Sequence, residues 1–354
     1  MQKIVTIVGA RPQFIKSLPV SNQIRKSCRE VLVHTGQHYD NNMSDVFFEE
    51  MGIPEPDYNL GVGSGTQAGQ TARMLERIER VLLDEKPDAL LIYGDTNSTL
   101  AGALAASKLH VPIAHVEAGL RSFDKKMPEE INRIVADHLS EILFCPTRTA
   151  VDNLKEEGVT EGVELVGDVM YDAALHFGAI ADSKSDILNA LGVAAGDYLL
   201  ATIHRSSNTD IVDNLKVLLE VFVESGRSIV FPVHPRTRKV VSESGLQKII
   251  AGSKVRMTDP VGYIDFLKLE KNAAKILTDS GGVQKEAFFF AVPCITLRDT
   301  TEWVETVEGG WNVLVHVDKE LILRKISDFA PTGTPAQLFG DGKAAQYIAE
   351  RLTT

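Results

Sequence analysis

The chain has 354 residues, of which 44% are hydrophobic and 24% are charged, a composition typical of a globular protein long enough for two domains. Its formal net charge of −11 argues against a general surface for nucleic acid or acidic membrane, because attraction to phosphate requires a basic face. An anionic ligand would therefore have to be bound by a local cluster of cations.

The cysteines and the apolar segments indicate the compartment. Cys28, Cys145 and Cys294 are odd in number and far apart, which favours a reducing environment over a disulfide framework. The N-terminal apolar run is too short for a secretory signal. No apolar window approaches the roughly 18 residues that a membrane span needs. We therefore expect a cytoplasmic protein that binds neither nucleic acid nor membrane.

Short β-branched runs alternate with helix-like segments over the first half of the chain. Apolar residues recur every three or four positions at 71–85 and 99–110, which predicts two helices. The predicted strands lie at 3–8, 30–34, 89–93, 111–116 and 141–144. This alternation predicts βαβ units and a parallel sheet, in which ligands bind at the carboxyl ends of the strands.

Charged and polar residues follow the first and third of these strands. The first strand runs into GARPQFIK, where Arg11 and Lys16 flank a turn and a helix start that suit phosphate. Two solvated cations around a turn are the alternative interpretation. The third strand ends in GDTNSTL, in which Asp95 is either a site carboxylate or the N-cap of the next helix.

Carboxylates are concentrated in HVEAGLRSFDKKMPEEINR, which begins at His115 in the fourth strand. A metal cage, a glycosidase acid pair, a proton-transfer site and a charged loop are all compatible with this segment taken alone. We expect Glu130 and Arg133 to cap the start of a helix and to form salt bridges there. We expect His115 to be a hydrogen-bonded core residue. Glu117, at a strand end, and Glu129, at a helix start, are the candidates for proton transfer.

The strand pattern fades after VELVGDVMYDAALHF and restarts in the second half. The predicted elements there are strands at 197–204, 227–234, 274–280 and 292–299 and a helix at 263–273. We predict two doubly wound α/β domains, residues 1–175 and 176–340, joined by the polar tract AIADSKSD at 179–186. The last segment, 341–354, has one apolar face and is predicted to be a helix that docks back on the N-terminal domain.

The second-half strands also end in candidate ligand groups. They run into His204-Arg205, His234-Pro235-Arg236 and Ser280-Gly281-Gly282. The last of these opens a helix whose free N–H groups suit phosphate. Glu286, one helical turn further on, is placed to accept from a ribose hydroxyl.

Several other nucleotide and metal sites are excluded by missing residues. The first strand supplies only Gly9 of the G-x-G-x-x-G dinucleotide pattern, and no G-x-x-x-x-G-K-[ST] phosphate loop is present. The zinc deaminase pattern fails because Leu297 stands where a second cysteine is required. Neither H-E-x-x-H nor G-x-S-x-G occurs. We therefore expect no metal, no nicotinamide and no other cofactor.

Ordered motifs along essentially the whole chain resemble those of one known family, the non-hydrolysing UDP-N-acetylglucosamine 2-epimerases. These motifs are GARPQFIK, TGQHYD, YGDTNSTL, HVEAGLRS with PEEINR, CPT, VGDVMYD, TIHR, PVHPR, LTDSGGVQKEA and RDTTE. The resemblance implies two Rossmann-like domains of the glycosyltransferase B type with an interdomain cleft, UDP bound mainly on the C-terminal domain, and a homodimer. It also implies an isomerase of polysaccharide biosynthesis whose partner is a UDP-sugar.

The resemblance assigns residues by their positions in these motifs. The matches to the family's catalytic site are Arg11, Lys16, Asp95, Glu117, Glu129 and His204. The matches to its uridine, diphosphate and ribose contacts are Phe266, Ser280, Gly281, Gly282 and Glu286. Arg205 and His234, at the ends of second-half strands, complete the predicted substrate-binding set. The residues near which bacterial members bind a second, regulatory UDP-sugar are Gln37, His38, Gln70 and Arg73.

The implied reaction explains the need for carboxylates. Carbon 2 of the sugar carries no acidic proton, because no carbonyl is adjacent. Elimination of UDP across carbons 1 and 2 gives a 2-acetamidoglucal that takes UDP back after protonation on the other face, which requires a base and an acid. Asp95, Glu117 and Glu129 are assigned to proton transfer without a choice between acid and base. His204, Arg11 and Lys16 are assigned to the diphosphate.

Four features depart from the family's usual residues. Gln13 replaces an acidic residue, Trp303 stands where many members have arginine, Lys285 replaces a glutamate, and TIHRSSNTD differs from the HRRE form of the best-known members. These variants are similar to the branch that epimerises UDP-2,3-diacetamido-2,3-dideoxyglucuronate. The additional sugar carboxylate of that substrate would require an added cation, for which Lys285, Arg205 and Arg236 are the candidates. The leading expectation is conversion of UDP-GlcNAc to UDP-ManNAc, with the diacetamidoglucuronate as the alternative substrate. A UDP-sugar glycosyltransferase, a hydrolysing epimerase and a non-catalytic UDP-sugar sensor are the further alternatives.

Overall fold

The structure is a computed structural model that describes residues 2–37, 52 and 54–353. Its contacts divide the chain into two units. The N-terminal unit comprises Met1–His176 with Gln337–Thr354, and the C-terminal unit comprises Phe177–Ala336. Each unit is built on its own parallel sheet.

The sheet of the N-terminal unit has the strand order β3-β2-β1-β4-β5-β6-β7, and every pairing is parallel. Its central strands read as continuous apolar runs because helices cover both faces. The strands are β1 (Lys3–Val8), β2 (Arg29–His34), β3 (Tyr58–Asn59), β4 (Ala89–Tyr93), β5 (Ile113–Val116), β6 (Ile142–Cys145) and β7 (Val163–Leu165).

The helices of the N-terminal unit follow these strands in alternation. They are α1 (Arg11–Ile24), α2 (Gln67–Glu85), α3 (Asn97–Lys108), α4 (Pro128–Leu139) and α5 (Arg148–Glu156). The last helix of the chain, α16 (Ala344–Thr353), packs against α1. Its first N–H groups are capped by the Asp172 carboxylate, which accepts from Ala345 N–H at 2.9 Å.

The sheet of the C-terminal unit has the order β10-β9-β8-β11-β12-β13 and is also parallel throughout. Its strands are β8 (Tyr198–Thr202), β9 (Ser228–Pro232), β10 (Val255–Thr258), β11 (Lys275–Thr278), β12 (Cys294–Thr296) and β13 (Asn312–Leu314). Its helices are α7 (Ile187–Leu191), α8 (Ser206–Thr209), α9 (Val212–Glu224), α10 (Pro235–Glu243), α11 (Gln247–Ile250), α12 (Tyr263–Asn272), α13 (Gly281–Phe289), α14 (Val304–Glu308) and α15 (Lys319–Asp328). The prediction of two doubly wound α/β domains is therefore confirmed.

The predicted linker at 179–186 is wrong, because most of it belongs to helix α6 (Val169–Lys184). The buried Ala181 continues the apolar stripe that begins with Val169 and Ala173. Asp182, on the other side of the helix, pairs with Lys268 at 3.2 Å. Polar composition suggested a linker here, but the polar residues occupy the exposed face of a helix.

The apolar segments of the chain form the hydrophobic cores of the two units. Among the described residues, no helix combines the length and the apolar character that crossing a bilayer requires. The three cysteines are unpaired and buried.

Candidate active site

The loops after β1, β4 and β5 meet at one edge of the N-terminal sheet. These strands are neighbours in the order β1-β4-β5, and Tyr93 pairs with Val116. Asp95 therefore follows β4 at the same edge where Glu117 follows β5, and Lys16 reaches this edge from α1. Ligands of parallel α/β sheets bind at such an edge.

Glu117 has an unusual backbone conformation beside a lysine. Its φ is +73°, a left-handed value that residues other than glycine rarely adopt. The Glu117 carboxylate is buried and forms an ion pair with the Lys16 ammonium. A Cβ atom on Gly94, whose own φ is +61°, would lie only 3.1 Å from Glu117 Oε2. Strained residues of this kind cluster at functional sites, which supports the candidate role of Glu117.

Asp95 is not the helix N-cap that its position allowed. Thr96 caps α3 instead, since its hydroxyl accepts from Thr99 N–H at 3.4 Å. The Asp95 carboxylate pairs with Arg133 of α4, and the Asn132 amide donates to the Asp95 carbonyl at 2.9 Å. The sequence assigned Arg133 only to the helix start, because nothing local indicates a partner 38 positions away.

Asp95 and Glu129 line one cleft of about 430 Å³ in the N-terminal unit. Glu129 lies exposed in the first turn of α4. Burial raises the pKa of Asp95, Arg133 acts against this rise, and the charge of Glu117 adds to it. A carboxyl with a raised pKa beside an exposed carboxylate is suited to exchanging protons with a ligand.

Glu130 and His115 have structural roles. His115 is the hydrogen-bonded core residue that was predicted, whereas Glu130 caps the loop at 122–123 and not the start of α4, which has no side-chain cap. The buried Glu130 carboxylate accepts from Ser122 N–H at 2.9 Å and Phe123 N–H at 2.8 Å, and it pairs with Arg133 at 3.2 Å. His115 is fully buried and bonded through both ring nitrogens. Within residues 2–37, 52 and 54–353, no group of three or more His, Cys, Asp or Glu side chains could hold a metal ion.

The candidate regulatory residues lie beside the same cleft. The Gln37 amide oxygen accepts from Ser98 Oγ at 2.7 Å, and the Gln70 amide group donates to the Gly63 carbonyl at 2.8 Å. Both glutamines line the cleft of Asp95 and Glu129. Arg73 borders this region through a 3.4 Å contact to the Ser64 carbonyl. His38 lies outside the described residues.

Gln13 explains one departure from the family's usual sequence. Its buried amide oxygen accepts from Gly9 N–H at 2.8 Å and Ala10 N–H at 3.1 Å, while its NH₂ group donates to the Tyr93 carbonyl at 2.7 Å. An ionised carboxylate could accept but not donate, so the amide suits this position. Gln13 thereby joins the loop that precedes Arg11 to the end of β4; Arg11 itself is half-buried at the first position of α1.

Asp279 organises the loop after β8 in the C-terminal unit. Its buried carboxylate accepts from the backbone N–H groups of His204 and Arg205 and from the Asn208 amide, at 3.0 to 3.1 Å. His204 Nδ1 lies 3.2 Å from Asp279 Oδ1. Although burial opposes it, hydrogen bonding to His204 and Asn208 keeps the pKa of Asp279 below its usual value. Asp279 stands directly before Ser280, but no local pattern in the sequence indicates these contacts.

Two further predicted substrate-binding residues lie near His204 or its loop. The ring centroids of His204 and His234 are 6.3 Å apart. Burial, together with the nearby His204 and Arg236, lowers the pKa of His234, and His234 Nδ1 accepts from Arg236 N–H at 3.2 Å. Arg205 is half-buried and contacts Glu302 at 3.1 Å. Positive and polar groups therefore gather at the ends of β8 and β9.

The start of α13 has the geometry of a phosphate cradle. Ser280 occupies the N-cap position without a side-chain cap, and two glycines follow it in the first turn. A Cβ atom on Gly281 would lie 2.5 Å from Glu302 Oε1 and 3.3 Å from Trp303 Nε1, so a residue with a side chain does not fit without rearrangement. Gly282 is exposed. The unsatisfied N–H groups at such a helix start attract anions.

Glu286 lies buried one turn further along α13. The Tyr263 hydroxyl donates to Glu286 Oε1 at 2.7 Å. The neighbouring Glu270 is fully buried, and burial followed by the charge of Glu286 raises its pKa far above the usual range. Phe266, on the same helix as Tyr263, is half-buried and packs against the apolar core of this sheet. These contacts join residues that are distant in the sequence, so no local sequence pattern predicts them.

Two further departures from the usual family residues, Lys285 and Trp303, contact each other. The Lys285 ammonium lies 3.8 Å from the centroid of the Trp303 ring, a cation–π arrangement. Both residues are buried. Lys285 and Trp303 therefore form a single structural unit beside the start of α13.

Each unit is an α/β domain built on a parallel sheet. One unit has carboxylates and cations at a sheet edge, and the other has a glycine-rich helix start beside a histidine–aspartate pair. These features define a two-domain Rossmann-like enzyme. The family model for UDP-N-acetylglucosamine 2-epimerase matches residues 22–353. The chain therefore belongs to the UDP-N-acetylglucosamine 2-epimerase family, whose members are isomerases.

Named relatives match along their whole length. A UDP-N-acetylglucosamine 2-epimerase homologue of Methanococcus maripaludis is 56% identical over 353 residues, 99% of each chain. The UDP-2,3-diacetamido-2,3-dideoxy-D-glucuronate 2-epimerase of Pseudomonas aeruginosa is 52% identical over 361 aligned positions, again 99% of each. The crystal structure of Methanocaldococcus jannaschii UDP-GlcNAc 2-epimerase in complex with UDP-GlcNAc and UDP is 46% identical, with a TM-score of 0.88 and 99% of each chain covered.

Proposed function

We propose that the protein inverts carbon 2 of a UDP-2-acetamido sugar by eliminating UDP to a 2-acetamidoglucal and adding UDP back. The observation that supports this most directly is the pairing of Asp95 with Arg133 and of Glu117 with Lys16 at adjacent strand ends. Elimination needs proton acceptors and donors next to cations that compensate their charge.

The N-terminal carboxylates have complementary properties for this chemistry. Burial raises the pKa of Asp95, and the exposed Glu129 lines the same cleft. Glu117 is compensated by Lys16 and fixed by its left-handed backbone. We assign all three to the removal of the carbon 2 proton, its return on the other face, and the stabilisation of positive charge on the sugar ring.

The C-terminal unit would bind the UDP group. The N–H groups of Gly281 and Gly282 at the start of α13 suit the diphosphate. His204, oriented by Asp279, is assigned to the charge that develops on the diphosphate when the bond to carbon 1 breaks. The Glu286 carboxylate, held by the Tyr263 hydroxyl, is assigned to the ribose hydroxyls.

The leading substrate is UDP-GlcNAc, which would be converted to UDP-ManNAc. The related M. jannaschii enzyme of 46% identity, whose structure contains UDP-GlcNAc and UDP, supports this choice. UDP-2,3-diacetamido-2,3-dideoxyglucuronate is the second candidate, because Lys285 and Trp303 place a buried cation beside the phosphate cradle. The P. aeruginosa relative named for that sugar, at 52% identity, supports this second candidate.

Incubation with each UDP-sugar in D₂O tests the proposal. Deuterium at carbon 2 together with the C2-inverted UDP-sugar is the expected result. Release of free sugar and UDP would instead show a hydrolysing enzyme, and absence of exchange with both sugars would contradict the proposal. A Lys285→Gln variant should lose turnover of the uronate selectively if that sugar is the substrate, and equal effects on both sugars would remove the argument from Lys285.

The proposal extends to assembly and regulation. We propose that the protein is a cytosolic homodimer. Light scattering of the purified protein would test the dimer. The three unpaired, buried cysteines support a reducing compartment. We also assign Gln37, Gln70 and Arg73 to a second UDP-sugar. Unchanged dependence of the rate on substrate concentration in Arg73→Ala would contradict that second site.

A further inference from the structure

His115 is a fully buried histidine with two acceptors and no donor among its hydrogen-bond partners in the described structure. Its Nδ1 lies 2.7 Å from Asp137 Oδ1, and its Nε2 lies 2.7 Å from the Gly94 carbonyl oxygen. A backbone carbonyl only accepts hydrogen bonds. The Asp137 carboxylate also accepts, since Gly119 N–H and the Arg121 guanidinium donate to its Oδ2 at 3.1 and 2.7 Å. Both ring nitrogens of His115 must therefore donate.

An imidazolium at His115 would place a second positive charge beside the fully buried Asp137 carboxylate. Arg121 makes a bidentate contact with Glu157, at 2.7 Å for both bonds, in addition to its bond to Asp137. His115 and Arg121 then supply two positive charges against the two negative charges of Asp137 and Glu157. A buried carboxylate without enough compensating charge is strongly unfavourable.

Two other titratable groups lie next to this network. Burial, with the charge of Asp137 adding to it, raises the pKa of the Cys145 thiol to about 12, so Cys145 stays neutral. His138, which is half-exposed, lies 3.4 Å from Glu157 Oε2, at the end of the network away from His115. Although burial opposes it, hydrogen bonds and charge from His115 and Arg121 keep the pKa of Asp137 below its usual value.

The network ends at the two turns that carry the candidate carboxylates. His115 Nε2 bonds the carbonyl of Gly94, the residue directly before Asp95. Asp137, bonded to His115 Nδ1, bonds Gly119 N–H two residues after Glu117. Both glycines have left-handed φ values, +61° and +79°, and a Cβ on Gly119 would lie 2.3 Å from the Ala150 carbonyl.

We propose that His115 is a positioning residue whose two ring N–H groups, donated to Asp137 and to the Gly94 carbonyl, hold the Gly94 and Gly119 turns and thereby set the separation of Asp95 and Glu117. It touches no substrate and is not a catalytic residue. The consequence for turnover rests on the proposed function, whereas the protonation state does not.

The protonation state is tested by NMR on the full-length protein labelled with ¹⁵N-histidine, with His115 assigned by its loss in His115→Gln. Signals of a doubly protonated ring at neutral pH and slightly alkaline pH are expected. A single tautomer with one unprotonated nitrogen would overturn the proposal. If His115→Gln does not fold, contacts of the ring protons with the Gly94 and Val116 backbone provide the assignment.

Kinetics test the positioning role with two variants that each keep one hydrogen bond. Asparagine in His115→Asn can still donate towards Asp137, and glutamine in His115→Gln can still donate towards Gly94. A displacement of the carboxylates by about 1 Å lowers turnover on the order of 100-fold, so kcat should fall by at least about tenfold in both variants. UDP affinity and KM should stay within about twofold, because the UDP-binding groups lie on the other sheet.

The exposed His110, which has a left-handed φ of +56° that asparagine tolerates, provides the matched control His110→Asn. Normal kcat in folded His115→Asn and His115→Gln would overturn the positioning role. Equal loss of kcat and UDP affinity would also overturn it, since that result indicates general damage. If the wild-type protein turns over neither UDP-sugar, the proposed function fails while the NMR result still decides the state of His115.

Discussion

The Lys16 ammonium forms an ion pair with the Glu117 carboxylate, although the two residues lie 101 positions apart in the chain. Lys16 extends from the helix after β1, and Glu117 directly follows β5, two strands away across the sheet. The side chains are only 13% and 7% exposed, so each charge depends on the other for compensation.

Removal of the lysine alone should therefore be more damaging than removal of both charges. We expect Lys16→Met to lower the free energy of unfolding by about 2–4 kcal/mol, because the buried Glu117 carboxylate loses the compensating charge of Lys16. Lys16→Met combined with Glu117→Gln should recover most of that loss and remain inactive. Urea unfolding and a turnover assay measure the two effects. Equal stability of the single and double variants would show that the pair is not compensating.

The three candidate carboxylates should be required for turnover but not for UDP binding. We expect Asp95→Asn, Glu117→Gln and Glu129→Gln each to reduce kcat by about 10²–10⁴-fold, the range for loss of a proton-transfer group. Their affinity for UDP, measured by calorimetry, should stay close to that of the wild type. Asp124→Asn, on an exposed loop carboxylate, is the matched control. Loss of UDP binding in the three variants, with Glu286→Ala harmless to it, would contradict the assignment of the two sets of residues.

Asp279 should matter for both stability and ligand binding. Asp279→Asn replaces one of the two acceptor oxygens that bond His204, Arg205 and Asn208, so a loss of about 1–3 kcal/mol of unfolding free energy is expected. UDP affinity should fall as well, because the His204 loop and the adjacent Ser280 turn lose their common support. Denaturant unfolding and calorimetry measure the effects, with the exposed Asp299→Asn as the control. An unchanged UDP affinity would remove the proposed link between Asp279 and the phosphate cradle.

The contact between Asp172 and the last helix should depend on pH. Burial raises the pKa of Asp172 from 3.8 to about 6, although hydrogen bonds from Ala345 and Ala344 oppose the rise. Because the folded-state pKa lies above the unfolded value, the folded protein binds more protons. The resulting stabilisation is complete below pH 3.8 and is lost as the pH rises through about 6.

The stability of the wild type relative to Asp172→Asn should therefore decrease by up to about 3 kcal/mol as the pH rises from about 4 to about 7. Unfolding free energies across this range measure it, and hydrogen exchange at the Ala344 and Ala345 amides reports the helix start directly. A relative stability that increases with pH would have the wrong sign for this account.

The sequence alone determined the parts of this protein that depend on local pattern. Apolar runs separated by helix-period segments predicted β1, β4 and β8 and the two parallel sheets, because burial on both faces of a strand requires continuous apolar residues. Strand-end positions then made Asp95, Glu117, His204 and Ser280 candidates for the site, since parallel strands bring their carboxyl ends to one edge. Ordered motifs indicated the family, which the match over residues 22–353 confirms.

Only the tertiary structure decided which of these residues contact one another. Arg133 pairs with Asp95, His115 bonds Gly94 and Asp137, and Lys285 lies on Trp303, all across separations at which a sequence shows no periodic signal. The linker was misassigned for a related reason. The polar residues of α6 belong to a helix whose other face is buried by packing. A hydrogen bond or an ion pair depends on distances of a few ångströms, and those distances are set by packing between elements that the sequence describes only one at a time.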